Sequence, residues 1–134
     1  MAGVNTKLLL AVSAVVLGAA GIAGSFAPAE IAEAAGLPPT GGLPVVIQLL
    51  AALWFAFAMV NWTARGSLIG GIYNRPIAIG NLTHWTIGAL ALAKFIAAGE
   101  RRPLFLIATA LYLLFALAFA AVLFRSPVQG NENG

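Results

Sequence analysis

Charged residues are spaced so unevenly along this chain that the apolar runs between them define its elements. Leu8 to Ala27 carries no charge, nor does Val45 to Ala64; Ile77 to Ala98 holds only Lys94, and Leu104 to Phe124 again has none. Each run is about 20 residues, and at about 1.5 Å of rise per residue that matches the ~30 Å hydrocarbon core of a bilayer. Lipid offers backbone N–H and C=O groups no partner, so runs of this kind form helices. The pattern predicts an all-α membrane protein, a four-transmembrane-helix bundle built as a single membrane domain over residues 1–134. Its spans are expected at about 8–27, 45–64, 77–98 and 104–124, with a polar tail at 126–134.

The first run has a rival reading as a cleavable signal peptide, since Lys7 precedes it and "GSFAPAE" follows it. Its apolar stretch is longer than the usual signal core of about 7–15 residues, which favours a retained helix.

The connections differ in kind. "PAEIAEAAG", Pro28 to Gly36, places proline at a first helical position and Glu30 and Glu33 in the early turns, with glycine as the stop. A short interfacial helix after the first span is expected there. "LPPTGGLP" then resists any regular element. "RGSLIGGIYNRP" joins the second and third spans between Arg65 and Arg75, and the tight "GERRP" joins the third and fourth.

Basic residues in short loops set orientation. With both termini in the cytoplasm, that side collects Lys7, Arg65, Arg75 and Arg125, while Arg101 and Arg102 lie outside. The predicted orientation therefore places both termini in the cytoplasm. Rows of small residues (Ala14 and Gly18, Ala20 and Gly24, Gly21 and Ser25, Ala89 with Ala93 and Ala97, Ala116 with Ala120) let helix backbones approach.

Composition agrees with the pattern and removes several function classes. The chain is 61% hydrophobic and 8% charged, against about a quarter charged in soluble domains. It has no cysteine, which excludes disulfides, thiolate metal sites and cysteine nucleophiles together. The net charge of +3 comes from scattered basic residues that make no stripe for phosphates, so no nucleic-acid partner is expected. There is no aspartate, and Glu30, Glu33, Glu100 and Glu132 all lie outside the spans. Proton-coupled export through a membrane-embedded carboxylate, paired-carboxylate hydrolysis and di-metal carboxylate sites all lack their residues. With His84 the only histidine, two-histidine haem ligation within one chain is also excluded. No metal and no cofactor is predicted.

The polar residues that remain are the default pointers to function in a membrane. Asn61 and Arg65, four apart, share a face near the end of the second span, as do Asn81 and His84, three apart, on the third. A short connection makes these spans antiparallel neighbours, so Asn61, Arg65, Asn81 and His84 are expected to converge near the cytoplasmic end, with Arg75 beside them. Gln48, Lys94, Thr109 and Tyr112 are expected nearer the other membrane face. The structural reading of the first cluster is plain. Asn and His bond neighbouring helices, Trp62, Tyr73 and Trp85 are interfacial aromatics, and the arginines are flank charges. The functional reading makes Asn61, Arg65, Arg75, Asn81 and His84 a ligand-binding site, with the guanidinium groups attracting an anionic lipid headgroup. Catalysis is disfavoured, because His84 lacks an acid to orient it and a neighbouring serine or cysteine nucleophile. No catalytic residue is assigned.

The layout resembles that of small bacterial four-helix membrane proteins of unknown function, loosely the DoxX-like type. The resemblance lies in a first span ending "FAPAEIAEAAGLP", a second beginning "VVIQLLAALWFAFAMVNW" and a glycine-rich turn before the third. It implies the fold and a bacterial inner-membrane setting, and carries over no functional residue. Three functions follow from the residues, in order. The first is a non-enzymatic integral membrane protein, acting as an accessory subunit of a larger complex or as a self-associating homo-oligomer. The second is a carrier or binding protein for a lipid or small ligand between the second and third helices. The third is a membrane enzyme or pigment-binding protein using His84.

Overall fold

Asn5 opens the first helix. Its side-chain oxygen accepts the Leu8 backbone N–H at 3.1 Å, pairing one of the donors that a helix start leaves free. Every later helix instead starts on a proline at its first or second position, Pro28, Pro44, Pro76 and Pro103, where the missing N–H costs nothing. The helices are α1 (Thr6–Phe26), α2 (Pro28–Ala34), α3 (Leu43–Ala64), α4 (Arg75–Ala97) and α5 (Pro103–Arg125). The computed structural model describes residues 4–66 and 74–125, the side chain of Arg125 excepted, and no strand occurs among them. Most of the glycine-rich turn, with Tyr73, and the polar tail lie outside the described residues.

Glycine shapes two exits. After α2, Gly36 takes φ +72°, so that its N–H reaches Glu33 O at 2.8 Å and Leu37 N–H reaches Ala32 O at 2.9 Å. After α4, Gly99 takes φ +112°, and the N–H groups of Gly99 and Glu100 return to Ile96 O and Phe95 O. Glu100 then clasps the start of α5. One carboxylate oxygen accepts the Arg101 and Arg102 N–H groups at 3.0 and 2.8 Å, and the other pairs with the Arg102 guanidinium at 2.7 Å. The Arg102 backbone N–H, and then the Arg102 charge and the Arg101 N–H, hold this carboxyl below the usual carboxylate range. The clasp is complete above that range and is lost as pH falls through the lowered value. The Arg102 guanidinium lies against Gly36, which ties the end of α2 to the start of α5.

Among the described residues, three helices are long and apolar enough to cross a membrane, Thr6–Phe26, Leu43–Ala64 and Pro103–Phe124, consistent with an integral membrane protein. The sequence predicts four. α4 is as long, at 23 residues, but Asn81, Thr83, His84, Thr86 and Lys94 dilute its apolar run, and length and composition do not place it with the other three.

The helices associate as two antiparallel pairs, α1 with α3 and α4 with α5, and α2 rests on α3 and α1 through buried Ala32. Small residues set the α1–α3 approach. A Cβ placed on Gly21 would lie 2.9 Å from both the Ala51 carbonyl oxygen and Phe55 Cβ, and one on Gly24 would lie 2.6 Å from Ala51 Cβ. Hydrogen alone fits there, which is how backbones pack when the hydrophobic effect gives little drive. Rings join α4 to α5: Trp85 stacks on Phe115 with centroids 4.5 Å apart, and Phe95 meets Phe105 edge-on at 4.9 Å. The Tyr112 ring lies against Gly88, in space that any side chain at 88 would fill.

Along the seam between the two pairs, backbones approach less often. A shared core of Leu9, Leu10, Leu17, Ala58, Ala64, Trp85, Phe115, Phe119 and Val122 fills it. The distribution of polarity is inverted relative to a soluble protein. Ser13, Asn61 and Asn81 are wholly buried, while Leu8, Val15, Leu49, Leu53, Ile87, Leu90, Leu114 and Leu117 face outward.

Candidate functional site

Two polar groups lie in the seam. The first is a clasp of amides. Asn61, near the end of α3, donates to Asn81 Oδ1 at 2.8 Å, and Asn81, in the second turn of α4, donates back to Asn61 Oδ1 at 2.6 Å. The remaining N–H of Asn61 goes to Ser13 Oγ on α1 at 2.6 Å, and that of Asn81 goes to Ile77 O at 3.0 Å. A carboxamide has two donors and one acceptor oxygen, so both side chains are satisfied by protein groups. The clasp therefore joins three helices and leaves no amide hydrogen for a ligand.

The second group lies near the midpoints of α3, α4 and α5. Trp54 Nε1 donates to Tyr112 Oη at 3.0 Å, and Tyr112 Oη lies 3.3 Å from His84 Nε2. Indole N–H can only donate, so the tyrosine oxygen accepts it. The hydroxyl is fully paired in the tautomer in which Nε2 accepts its proton and Nδ1 carries the ring hydrogen. Phe57 stacks on the imidazole at 5.2 Å between centroids, while Trp85 and Tyr112 meet it at 5.1 and 5.3 Å. Trp85 Nε1 is buried without a hydrogen-bond partner, with Phe115 stacked on its ring and the Tyr112 ring edge-on to it.

The predicted site residues are thus distributed among different contacts. Asn61 and Asn81 meet directly. His84, one turn beyond Asn81, belongs to the aromatic group instead. Arg65 turns back over its own helix, where its guanidinium carbon sits 3.6 Å above the Trp62 ring and one N–H bonds Trp62 O. Arg75 is exposed at the start of α4. Tyr112, placed by the sequence pattern with the opposite-face residues, is the partner of His84. Gln48 bonds Ser25 O at 3.2 Å, and Thr109 bonds Phe105 O within its own helix at 2.6 Å, so neither joins Tyr112. Ser13, Trp54 and Phe57 were not legible as members of either group. Their only sequence signal is a polar or aromatic residue on an otherwise aliphatic helix.

Chemically, the arrangement holds one histidine among rings and one closed amide pair. Among the described residues no group of three His, Cys, Asp or Glu side chains could hold a metal ion. An open groove of about 450 Å³ lies between the end of α3 and the start of α4, lined by Met59, Val60, Thr63, Ala64, Asn74 and Ile77. No family model, curated protein or solved structure matches the chain.

Proposed function

We propose that this chain is a non-enzymatic integral membrane protein of the bacterial inner membrane, DoxX-like in layout. Its role is that of a four-span helix bundle serving as an accessory subunit or a self-associating unit. The observation that carries this reading is the inverted polarity of α4. Asn81 is buried in the clasp and His84 bonds inward, while Ile79, Ile87, Leu90 and Phe95 are exposed. With Asn81 and His84 paired within the protein, α4 presents lipid with a largely apolar face and serves as the fourth span. The α2 helix, with Glu30 and Glu33 exposed, then lies at the outer interface. Reporter fusions test the topology. Those after Gly36 and Gly99 are expected to read outside and one after Ser67 inside; a fusion after Gly99 that reads inside removes the fourth span.

A second reading, lipid binding, has its own observation. The groove between the end of α3 and the start of α4 lies at the end of the bundle that carries Lys7, Arg65 and Arg75, and every acidic residue of the described chain lies at the opposite end. An acyl chain in the groove would place an anionic phosphate near exposed Arg75. Native mass spectrometry with phosphatidylglycerol is expected to show retention falling about fivefold in Arg75→Ala, the equivalent of about 1 kcal/mol. Arg65→Ala is expected to change less, because that guanidinium is already engaged by Trp62. Equal retention in wild type and Arg75→Ala eliminates the lipid site.

A further inference from the structure

We infer that the seam between the α1–α3 pair and the α4–α5 pair is a proton-operated joint, closed while His84 is neutral and loosened when it is protonated. The inference goes beyond the proposed bundle, and three observations support it together.

The first is topological. Backbone approach is close within each pair and sparse between them, so side chains hold the seam. At its midpoint those side chains are Trp54 and Phe57 from α3, His84 from α4 and Tyr112 from α5. Both links from α3 to the other pair at this level involve the histidine or its partner. Phe57 stacks on the His84 ring, and Trp54 bonds the hydroxyl that His84 holds in place.

The second is the direction of the hydrogen bonds. With Trp54 donating to Tyr112 and Tyr112 donating to Nε2, the line runs one way and ends on the imidazole lone pair. A proton arriving from water at Nε2 occupies that lone pair. Both ring nitrogens then carry hydrogen, so Nε2–H can only donate to Tyr112 Oη, and the tyrosine's own O–H loses its acceptor. Tyr112 has little freedom to recover by shifting toward α4, because its ring already lies against Gly88.

The third is the absence of a counter-charge. His84 faces Phe57 on α3, Tyr112 on α5 and Trp85 on its own helix, and Tyr112 is the one titratable group among them. Ser13 on α1 is engaged by Asn61. None of α1, α3, α4 and α5 carries an acidic residue, and Lys94 and Arg75 are exposed toward the ends of α4. An imidazolium formed at mid-depth has no carboxylate to pair with, and it gains by reaching water or headgroups. Opening the seam supplies that route. The amide clasp, which does not titrate, stays closed and acts as the hinge.

The chain has no cysteine, so spin labels can be placed singly. Val15→Cys with Leu114→Cys spans the seam from α1 to α5, and Val15→Cys with Leu53→Cys reports within the α1–α3 pair; all three positions face outward. Pulsed electron resonance in phosphatidylcholine nanodiscs at about pH 8 and about pH 5 brackets the histidine range. At low pH the seam pair is expected to gain a second, longer distance population while the α1–α3 pair stays unchanged. In His84→Gln, which cannot be protonated and keeps an acceptor, the second population is expected to vanish. In Tyr112→Phe the longer population is expected already at about pH 8. Identical distances at both pH values overturn the inference, as does a pH response that survives in His84→Gln. Should His84→Gln not fold, the wild-type imidazole can be followed by nitrogen NMR in the same discs. A ring still neutral where the distances change overturns the inference, and a ring titrating together with them supports it.

Discussion

Gly21→Leu is expected to abolish the packed α1–α3 pair, with most of the protein lost from the folded fraction in mild detergent. The reason is geometric. A Cβ on residue 21 would lie 2.9 Å from the Ala51 carbonyl oxygen and 3.0 Å from the Phe55 backbone nitrogen. Those are backbone atoms of an intact helix, so no side-chain rotation relieves the clash, and the helices must separate along their length. Overpacking of a tight contact costs about 1–3 kcal/mol, and leucine at a backbone-to-backbone approach belongs at the upper end. Separation also withdraws Ser13 from Asn61 and strips Gly24 from Ala51, so the loss spreads in both directions along α1. Gly18→Ala is the matched control, because a Cβ there meets only Ala58 Cβ at an ordinary 3.6 Å. Denaturation in sodium dodecyl sulfate should separate the two variants clearly. Equal midpoints for Gly21→Leu and wild type would show that α1 and α3 do not approach as described.

Asn61→Leu is expected to destabilise the protein by about 1–3 kcal/mol, the cost of leaving buried polar groups unpaired. Asn81 would keep its bond to Ile77 O but lose both exchanges with residue 61, and Ser13 would lose its donor. The diagnostic result is the double variant. Asn61→Leu with Asn81→Leu removes both amides together and should cost less than the sum of the single changes. Interhelical hydrogen bonds in membranes average about 0.6 kcal/mol, so the net value of the clasp is small even though breaking half of it is expensive. Strict additivity of the two single changes would mean that the amides do not act as a pair. The closed clasp also explains why a ligand site at Asn61 and Asn81 is less favoured than one at Arg75. A ligand would have to replace bonds of 2.6 and 2.8 Å that the protein already makes.

Most of the secondary structure was legible in the chain because helix limits here are local matters. Asn5, four prolines and two glycines mark where helices begin and stop, and the apolar runs between them have the length a bilayer demands. The short helix from Pro28 could be read for the same reason. α4 sits at the margin of that logic. Its polar residues lower its apolar character when it is read alone, and only the pairing of Asn81 with Asn61 and of His84 with Tyr112 shows what they contribute.

The spacing of Asn61, Arg65, Asn81 and His84 speaks only to faces within each helix, since a helical period is a property of one segment. It did not identify which side chains would touch across segments. His84 is one turn from Asn81, yet it bonds Tyr112, 28 residues away, because the notch at Gly88 brings the tyrosine ring against α4. Arg65 was expected among the converging residues and instead folds onto Trp62, since a guanidinium at a helix end finds a ring and a carbonyl of its own turn more readily than a buried amide pair. The sequence alone therefore determined the apolar, helical class of the molecule, the limits of most of its helices and the placement of its glutamates outside the long apolar runs, all of which follow from composition and local periodicity. The tertiary structure decided which polar groups are closed on one another and which single titratable ring stands in the seam. Those contacts depend on the distance between helix backbones, and that distance is set by glycines and alanines whose partners no local pattern names.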